Sequence, residues 1–181
     1  MQNIYLLQPD SSNFQSLLPP DDARFFETLS SFDGTPVGTS AWQPFEFQYD
    51  QGSSELALGD FPSAFQHIPI FSQRAAKVLH ATLNASGELL SVKCEGDEYV
   101  ALNVTVLVDA LDMESSDIVR FDSGKILDVK AYVLDGSRLT SAEIFKLPDS
   151  PLMDVFVSDE FIRKVEMASL TGFLFKQVKV N

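Results

Sequence analysis

The residue types that most often carry catalytic or metal chemistry are sparse in this chain. His67 and His80 are its only two histidines, and they lie thirteen residues apart. Neither belongs to an HExxH motif or stands at zinc-ligand spacing from a cysteine. The sequence also lacks the glycine-rich phosphate-binding patterns and the GxSxG nucleophile motif. We therefore predict no metal site and no cofactor site.

Cys94, Asp109 and Asp112 are the remaining candidates for chemistry. Cys94 is the single cysteine, and the neighbouring Glu95 opposes formation of its thiolate, so we expect an inert, partly buried thiol. Asp109 and Asp112 flank a turn after the strongest predicted strand. Paired carboxylates can bind Mg²⁺ or act in acid–base chemistry, but we favour a strand end and a helix cap. We predict no catalytic residue and expect a protein that is not an enzyme.

The formal net charge of −13 narrows the choice of partner. Binding to nucleic acid or to an anionic membrane requires lysine and arginine in excess, so we expect neither interaction. A basic protein partner fits such a field, because opposite charges accelerate encounter. Simple solubility explains the same charge, and the net charge alone does not decide between the two explanations.

Residues 1–65 carry most of this charge. They hold nine acids and one base, Arg24, for a net charge of −8. They also contain 11 of the 20 aromatic residues. Acidic segments that remain unfolded are poor in aromatics, so we expect this segment to fold. Aromatic side chains also serve as anchors in protein interfaces.

The sequence points to a reducing, cytoplasmic location. One cysteine excludes an intramolecular disulfide. The first ten residues lack the basic and apolar regions of a signal peptide. No apolar run approaches the ~18 residues of a membrane span.

Four elements are predicted in the first third. Residues 4–7 suit a short edge strand, and residues 45–49 alternate aromatic and polar side chains as a half-buried strand does. Asp21 or Asp22 can cap a helix that extends to about Phe32. Residues 61–68 suit another helical turn.

Two serine-capped helices are predicted in the remainder. Ser72 precedes a helix over about 72–83, and Ser158 precedes one over about 158–168, each after an apolar strand. The pattern over 99–108 is the strongest strand signal. Residues 122–125 connect two strands of a hairpin, at 118–121 and 126–134. Further strands are predicted at 89–92, 144–147, 153–157 and 173–180.

These elements predict an α+β fold with a mainly antiparallel sheet and a few short helices. No linker interrupts the chain, so we expect residues 1–181 to form a single domain. The change in composition divides it into an acidic, aromatic-rich subregion at 1–65 and a core at 66–181.

A series of short blocks between Pro69 and Phe175 resembles a known family. The blocks, in order, are Pro-Ile-Phe-Ser at 69–72, Gly-Glu-Leu-Leu at 87–90, Tyr99 with Leu-Asn-Val-Thr at 102–105, Val-Asp-Ala-Leu-Asp at 108–112, Phe121 with Gly-Lys-Ile at 124–126, Ile-Phe at 144–145, Val-Ser-Asp-Glu-Phe at 157–161 and Leu-Thr-Gly-Phe at 170–173. Their order is similar to that of the bacterial immunity proteins encoded beside polymorphic toxins, formerly a domain of unknown function. Residues 1–65 match more loosely.

The resemblance implies a protein that binds and neutralises a cognate toxin in the cytosol of the producing bacterium. It supplies no catalytic residues, and its motif positions are structural: Ser72 and Ser158 as caps, Gly172 as a helix stop, and Val157 and Phe161 in the core. We place the toxin-facing surface in residues 21–60, with acids that attract a basic toxin and aromatic anchors. The proposed contact residues are Asp21, Asp22, Trp42, Glu46, Tyr49 and Asp50. Phe25, Phe26 and Phe45 are instead predicted to be buried.

Two other functions compete with toxin immunity. A small-molecule or peptide-binding regulatory module predicts a closed apolar pocket. An enzyme of unrecognised type predicts clustered titratable groups with shifted pKa values. The sequence predicts no oligomeric state.

Overall fold

The computed structural model describes residues 2–181. It confirms the predicted α+β fold class. The strands are β1 Ile4–Pro9, β2 Leu17–Leu18, β3 Glu46–Tyr49, β4 Ile70–Ser72, β5 Gly87–Cys94, β6 Asp97–Val104, β7 Asp117–Arg120, β8 Ile126–Ala131, β9 Val133–Leu134, β10 Ile144–Phe145, β11 Phe156–Ser158 and β12 Phe173–Val180. The helices are α1 Ala23–Leu29, α2 Gln73–Val78, α3 His80–Ser86 and α4 Asp159–Met167, with short 3₁₀ turns at Thr39–Ala41, Gln51–Ser53 and Gly136–Arg138.

The first sheet has five strands in the order β10-β11-β1-β12-β9. β1 lies in its centre, so the prediction of an edge strand at 4–7 was wrong. Ile4 and Leu6 pack in one core cluster and Leu7 in another, so both faces of β1 are covered. The short apolar run is therefore a strand buried on two sides. β12 is antiparallel to β1 over its first six residues and meets β9 in parallel only at Lys179 and Val180.

The second sheet has the order β2-β3-β5-β6-β4. β3 runs parallel to β5, so strands from both sides of the compositional boundary share this sheet. β6 ends at Val104, earlier than the predicted 108. The chain beyond it pairs instead with Lys146, which donates its N–H to Val106 O at 3.0 Å and accepts from Val108 N at 2.9 Å.

The predicted hairpin is confirmed as β7 and β8, which form a separate two-stranded sheet. Its second strand ends at Ala131 and not at 134, because Val133 and Leu134 pair with β12 as β9. Gly124 takes a φ of +84°, a conformation that glycine adopts without strain. Phe121 accepts a hydrogen bond from Gly124 N at 2.8 Å and donates its own N–H to Lys125 O at 2.9 Å, which closes the turn.

Both predicted serine caps are confirmed. Ser72 Oγ accepts from Ala75 N at 3.0 Å and Ser158 Oγ accepts from Phe161 N at 3.4 Å. The first helix is interrupted at Leu79, which separates α2 from α3, whereas α4 is continuous. The predicted helical turn at 61–68 was wrong, because this segment is irregular and buries Phe61 in one core cluster and Ile68 in another.

Three apolar clusters fill the interior. The first joins α2, α3 and α4 to one face of each five-stranded sheet. The second lies on the other face of the first sheet, against which β8 and the segment before β7 pack. The third lies on the other face of the second sheet, where α1 packs against the aromatics of β3. The first third thus contributes most of the aromatic residues in the third cluster.

Candidate functional site

β3 divides the predicted contact residues between two faces of the second sheet. Side chains alternate along a strand, and Phe45 and Phe47 are buried in the third cluster. Glu46 therefore lies on the opposite, exposed face, beside Lys93 of β5. Tyr49 returns to the face of Phe47. The structure therefore does not place Glu46 and Tyr49 on one surface.

Tyr49 is half-buried and its hydroxyl is engaged. It donates to Asp97 Oδ2 at 2.7 Å and lies 3.0 Å from Tyr99 Oη, while its backbone N–H reaches Glu95 Oε1 at 3.2 Å. Burial, and then the hydrogen bonds to Tyr99 and Asp97, raise the pKa of Tyr49. The phenol is therefore a neutral donor within a cluster of exposed acids. A partner that used Tyr49 as an anchor would contact the ring edge beside these acids.

Trp42 lines a groove of about 350 Å³ between α1 and the segment that precedes β3. Its ring is edge-on to Phe32 and Phe45, at centroid distances of 6.1 and 5.3 Å. Its indole N–H donates to Ser91 O at 2.8 Å. Arg24 lies over the Phe45 ring at 4.1 Å and forms another wall. The groove is thus aromatic and open to solvent.

The four acids that were predicted to contact a partner differ in whether their carboxylates already accept hydrogen bonds. Asp22 caps α1 by accepting from Arg24 N at 2.8 Å, and Asp50 caps a 3₁₀ turn by accepting from Gly52 N at 2.9 Å. The side chains of Asp21 and Glu46 have no polar contact within residues 2–181, and both are exposed. Asp21 and Glu46 are therefore the acids that a partner can bind without loss of a cap.

Burial of the first-third phenylalanines follows the prediction in part. Phe25 and Phe45 are buried as predicted, but Phe26 is 52% exposed. Neighbouring side chains on a helix point about 100° apart, and α1 directs Phe25 into the third cluster and Phe26 to solvent. Phe26 adds an exposed aromatic next to Phe25, with ring centroids 5.7 Å apart.

Asp60 is a structural acid that the composition did not distinguish from its exposed neighbours. It is 7% exposed and accepts from Ser72 Oγ at 2.7 Å, Arg74 Nη1 at 2.8 Å and Thr171 N at 3.0 Å. It therefore joins the start of α2 to the segment after α4. An acid twelve residues before a serine cap was the available signal, and it is a weak one.

Glu88 and Lys146 also bind the first third. Glu88 accepts from Val37 N at 2.7 Å and Gly38 N at 3.0 Å. Burial raises its pKa, but hydrogen bonds from Asn103 and these backbone N–H groups outweigh burial and hold it below the usual value. Lys146 is fully buried and donates to Phe32 O at 2.6 Å. Burial lowers its pKa to about 8, against the opposing charge of Asp33.

The residues considered above for catalysis or metal binding are buried, paired or engaged as caps. Burial and then the charge of Glu95 raise the pKa of Cys94 to about 12, which keeps the thiol protonated and unreactive. Burial and then the charge of Lys146 lower the pKa of His67 to about 4. Asp112 accepts from Ser115 N at 3.0 Å as a turn cap, and Asp109 pairs with Arg138. Within residues 2–181 no three metal-ligating side chains converge.

These features define an acidic α+β protein whose first third carries exposed acids and, separately, a groove lined by Trp42 and Phe45. None of the helices within residues 2–181 is long and apolar enough to cross a membrane. The model of the immunity protein family (Imm11) matches residues 12–180, so the chain belongs to that family, as the sequence blocks predicted. A search of curated proteins finds no match.

Proposed function

We propose that this protein binds and neutralises a cognate toxin of a polymorphic, contact-delivered system in the cytosol of the producing bacterium. The match of the immunity family over residues 12–180 carries the proposal. Inhibition then requires affinity and no catalysis, which agrees with the high pKa of Cys94 and the structural roles of Asp109 and Asp112. We propose that residues 1–181 act as one immunity domain.

We further propose that the toxin is basic and contacts residues 21–60. A net charge of −8 over residues 1–65 supports this choice, because it attracts a positively charged partner. Asp21 and Glu46 supply available carboxylates, and Trp42 and Tyr49 supply aromatic edges. Asp22 and Asp50 contribute mainly through their charge, since their oxygens already accept backbone hydrogen bonds.

A pull-down from the native cell in moderate salt, followed by mass spectrometry, tests the function. We expect one toxin C-terminal domain to co-purify and its lethality to disappear when this protein is co-expressed. Recovery of a bound metabolite and no protein would instead favour a small-molecule regulatory module. A captured protein that stays lethal on co-expression would overturn the immunity proposal.

Charge reversal tests the surface, and the chain offers a matched control. The double substitution Asp21→Lys and Glu46→Lys changes two exposed acids that hold no cap. Glu114→Lys with Asp122→Lys makes the same change in net charge near β7, also at exposed side chains. We expect the first pair to slow toxin association about tenfold at low salt and the second pair to slow it much less. Equal effects of the two pairs would show that only total charge matters.

A further inference from the structure

One edge of β12 is hydrogen-bonded to β1. The other edge is paired with β9 only at the last residues of β12, Lys179 and Val180. The antiparallel register with β1 pairs Leu6 with Lys176. Leu7 N bonds Val155 O at 2.9 Å, so the polar backbone groups of Leu7 face β11, and those of Leu6 face β12. Asp10 N bonds Gly172 O at 2.9 Å, which continues the same alternation. Leu174, Lys176 and Val178 therefore direct their N–H and C=O groups toward β1.

The alternate residues of β12 face outward. Asn181 bonds Leu134 and Gly136 on the β9 side, and the register with β9 covers only Lys179 and Val180. Counting back by twos, Phe173, Phe175 and Gln177 direct their N–H and C=O groups to the same side. None of these six groups has a hydrogen-bond partner in the ladders of β12 or elsewhere within residues 2–181. They form a strand edge five residues long. The segment 59–61 lies beside its first residue, where Phe61 stacks on Phe173 at a centroid distance of 4.8 Å.

The side chains along this edge differ between the two faces of the sheet. Phe173 and Phe175 are half-buried against α4 and stack with centroids 6.0 Å apart. On the other face Leu174 is 46% exposed and Lys176 is exposed without an ion pair in the described chain. An added strand would thus meet aromatic carbon on one face, and an apolar residue and a cation on the other.

We propose that this edge, residues 173–177, receives an extended segment of the toxin as an additional strand of the first sheet. The proposal rests on the proposed function. Backbone hydrogen bonds would supply affinity, and alternate side chains would supply specificity. The chemistry of the edge requires apolar residues of the toxin segment beside Phe173 and Phe175, and an acid beside Lys176.

Charge and size favour the toxin over a second copy of this chain. Each copy carries a net charge of −13, so two copies repel, whereas a basic toxin is attracted. An edge of five residues spans about 17 Å. Such an edge alone buries less than the ~800 Å² per partner of a stable interface. A toxin that also contacts residues 21–60 adds the missing area.

The backbone geometry permits a substitution that blocks only the outer side. Gln177 is exposed and its N–H points outward, so Gln177→Pro removes an outward donor and leaves the β1 ladder intact. Gln177→Ala removes the same side chain but keeps the N–H. We measure binding of both variants to the purified toxin domain encoded beside this gene. We expect Gln177→Pro to weaken binding at least about tenfold and Gln177→Ala less than about twofold.

Amide hydrogen exchange provides an independent readout. In the free protein the amides of Phe173, Phe175 and Gln177 should exchange quickly and those of Leu174 and Lys176 slowly, and the toxin should slow the first group. Equal affinity of both Gln177 variants for a toxin that is still neutralised would overturn the edge proposal alone. Failure of the wild type to bind the toxin overturns both proposals. Protection that grows with concentration of the free protein would identify a second copy as the occupant.

Discussion

Residues 12–65 and the sheet of β1 and β9–β12 differ in how much of their attachment to the rest of the protein depends on single charged side chains. Asp60, Glu88 and Lys146 join the first region to the remainder through charged side chains. β3 also pairs with β5, and the third cluster packs against the second sheet, so strand pairing and apolar contacts contribute to both regions. The sheet of β1 and β9–β12 has pairing along the whole of β1 and apolar side chains such as Ile4 and Phe156, both at most 1% exposed.

This difference determines how each region responds to change. A contact made by one charged group is lost when that group is removed. A paired strand spreads its stabilisation over many atoms, so one substitution removes a smaller share. We therefore expect residues 12–65 to open at a lower free energy than the first sheet, which site-resolved hydrogen exchange measures.

Substitution of Asp60 should have the largest effect on the free energy of unfolding. Asp60→Ala leaves Arg74 Nη1, Ser72 Oγ and Thr171 N without the carboxylate to which they donate, so we expect the free energy of unfolding to fall by about 3 kcal/mol. Urea unfolding measures the change. Asp122→Ala, at an exposed turn, is the control and should change stability by less than about 0.5 kcal/mol. A loss for Asp60→Ala as small as the control would remove Asp60 as a link between the regions.

Lys146 should make the stability of the folded protein depend on pH in the alkaline range. Its folded pKa is about 8, below the usual 10.5, so between these values the unfolded chain binds a proton that the folded protein does not. Stability therefore rises with pH across this window, by up to about 3 kcal/mol for this group. Below pH 8 the lysine is charged in both states and the burial cost is complete.

The variant Lys146→Met isolates this effect. Cys94 and the buried tyrosines contribute to stability in the same pH range with the opposite sign, because their pKa values are raised in the folded protein and the unfolded chain loses these protons first. The measured quantity is thus the stability of the wild type minus that of Lys146→Met. We expect this difference to increase from pH 7 to pH 10.5, and a flat difference would contradict a buried, destabilised ammonium.

Removal of Glu88 should have an intermediate and local effect. Glu88→Ala deprives Val37 N, Gly38 N and Asn103 Nδ2 of an acceptor, for an expected loss of about 2 kcal/mol. Exchange at the Val37 and Gly38 amides should accelerate more than exchange in β1. Glu98→Ala, on the neighbouring strand and exposed, is the control. Uniform acceleration across both regions would contradict separate attachment.

The two serine caps provide the smallest effects and a comparison of their own. Ser158→Ala should cost less than about 1 kcal/mol, because its cap bond is long at 3.4 Å. Ser72→Ala should cost about 1–2 kcal/mol, since Ser72 Oγ also donates to Asp60 at 2.7 Å. Thermal unfolding of the two variants measures the order, and a reversed order would contradict the role given to Asp60.

Local sequence rules predicted the elements whose signals are local. The caps at Ser72 and Ser158 and the hairpin turn at Gly124 depend on neighbouring residues, and all three were found. The central position of β1 was missed because strand order is set by contacts with β11 and β12, more than 140 residues away in the chain. The early end of β6 was missed for the same reason, because Lys146 pairs with the segment that follows it.

The proposed contact residues show that composition does not predict which side chains are exposed. The charge count treated all nine acids of the first third alike, although Asp60 is buried and Asp22 and Asp50 act as caps. Phe26 was assigned to the core by residue type, whereas helix orientation exposes it. Composition indicates what a segment contains, and only tertiary packing determines which side chains remain for a partner.

The rate at which Cys94 reacts with a thiol reagent can report how often the first third of the chain opens. Cys94 is fully buried under the aromatics of the first third, so a thiol reagent can react only after that cover lifts. The labelling rate of the unmodified protein then reports how often the cover lifts, and a bound toxin that fixes the first third should lower this rate in proportion to its occupancy. One colorimetric trace would thus follow the motion and the binding together, with no probe added to the chain.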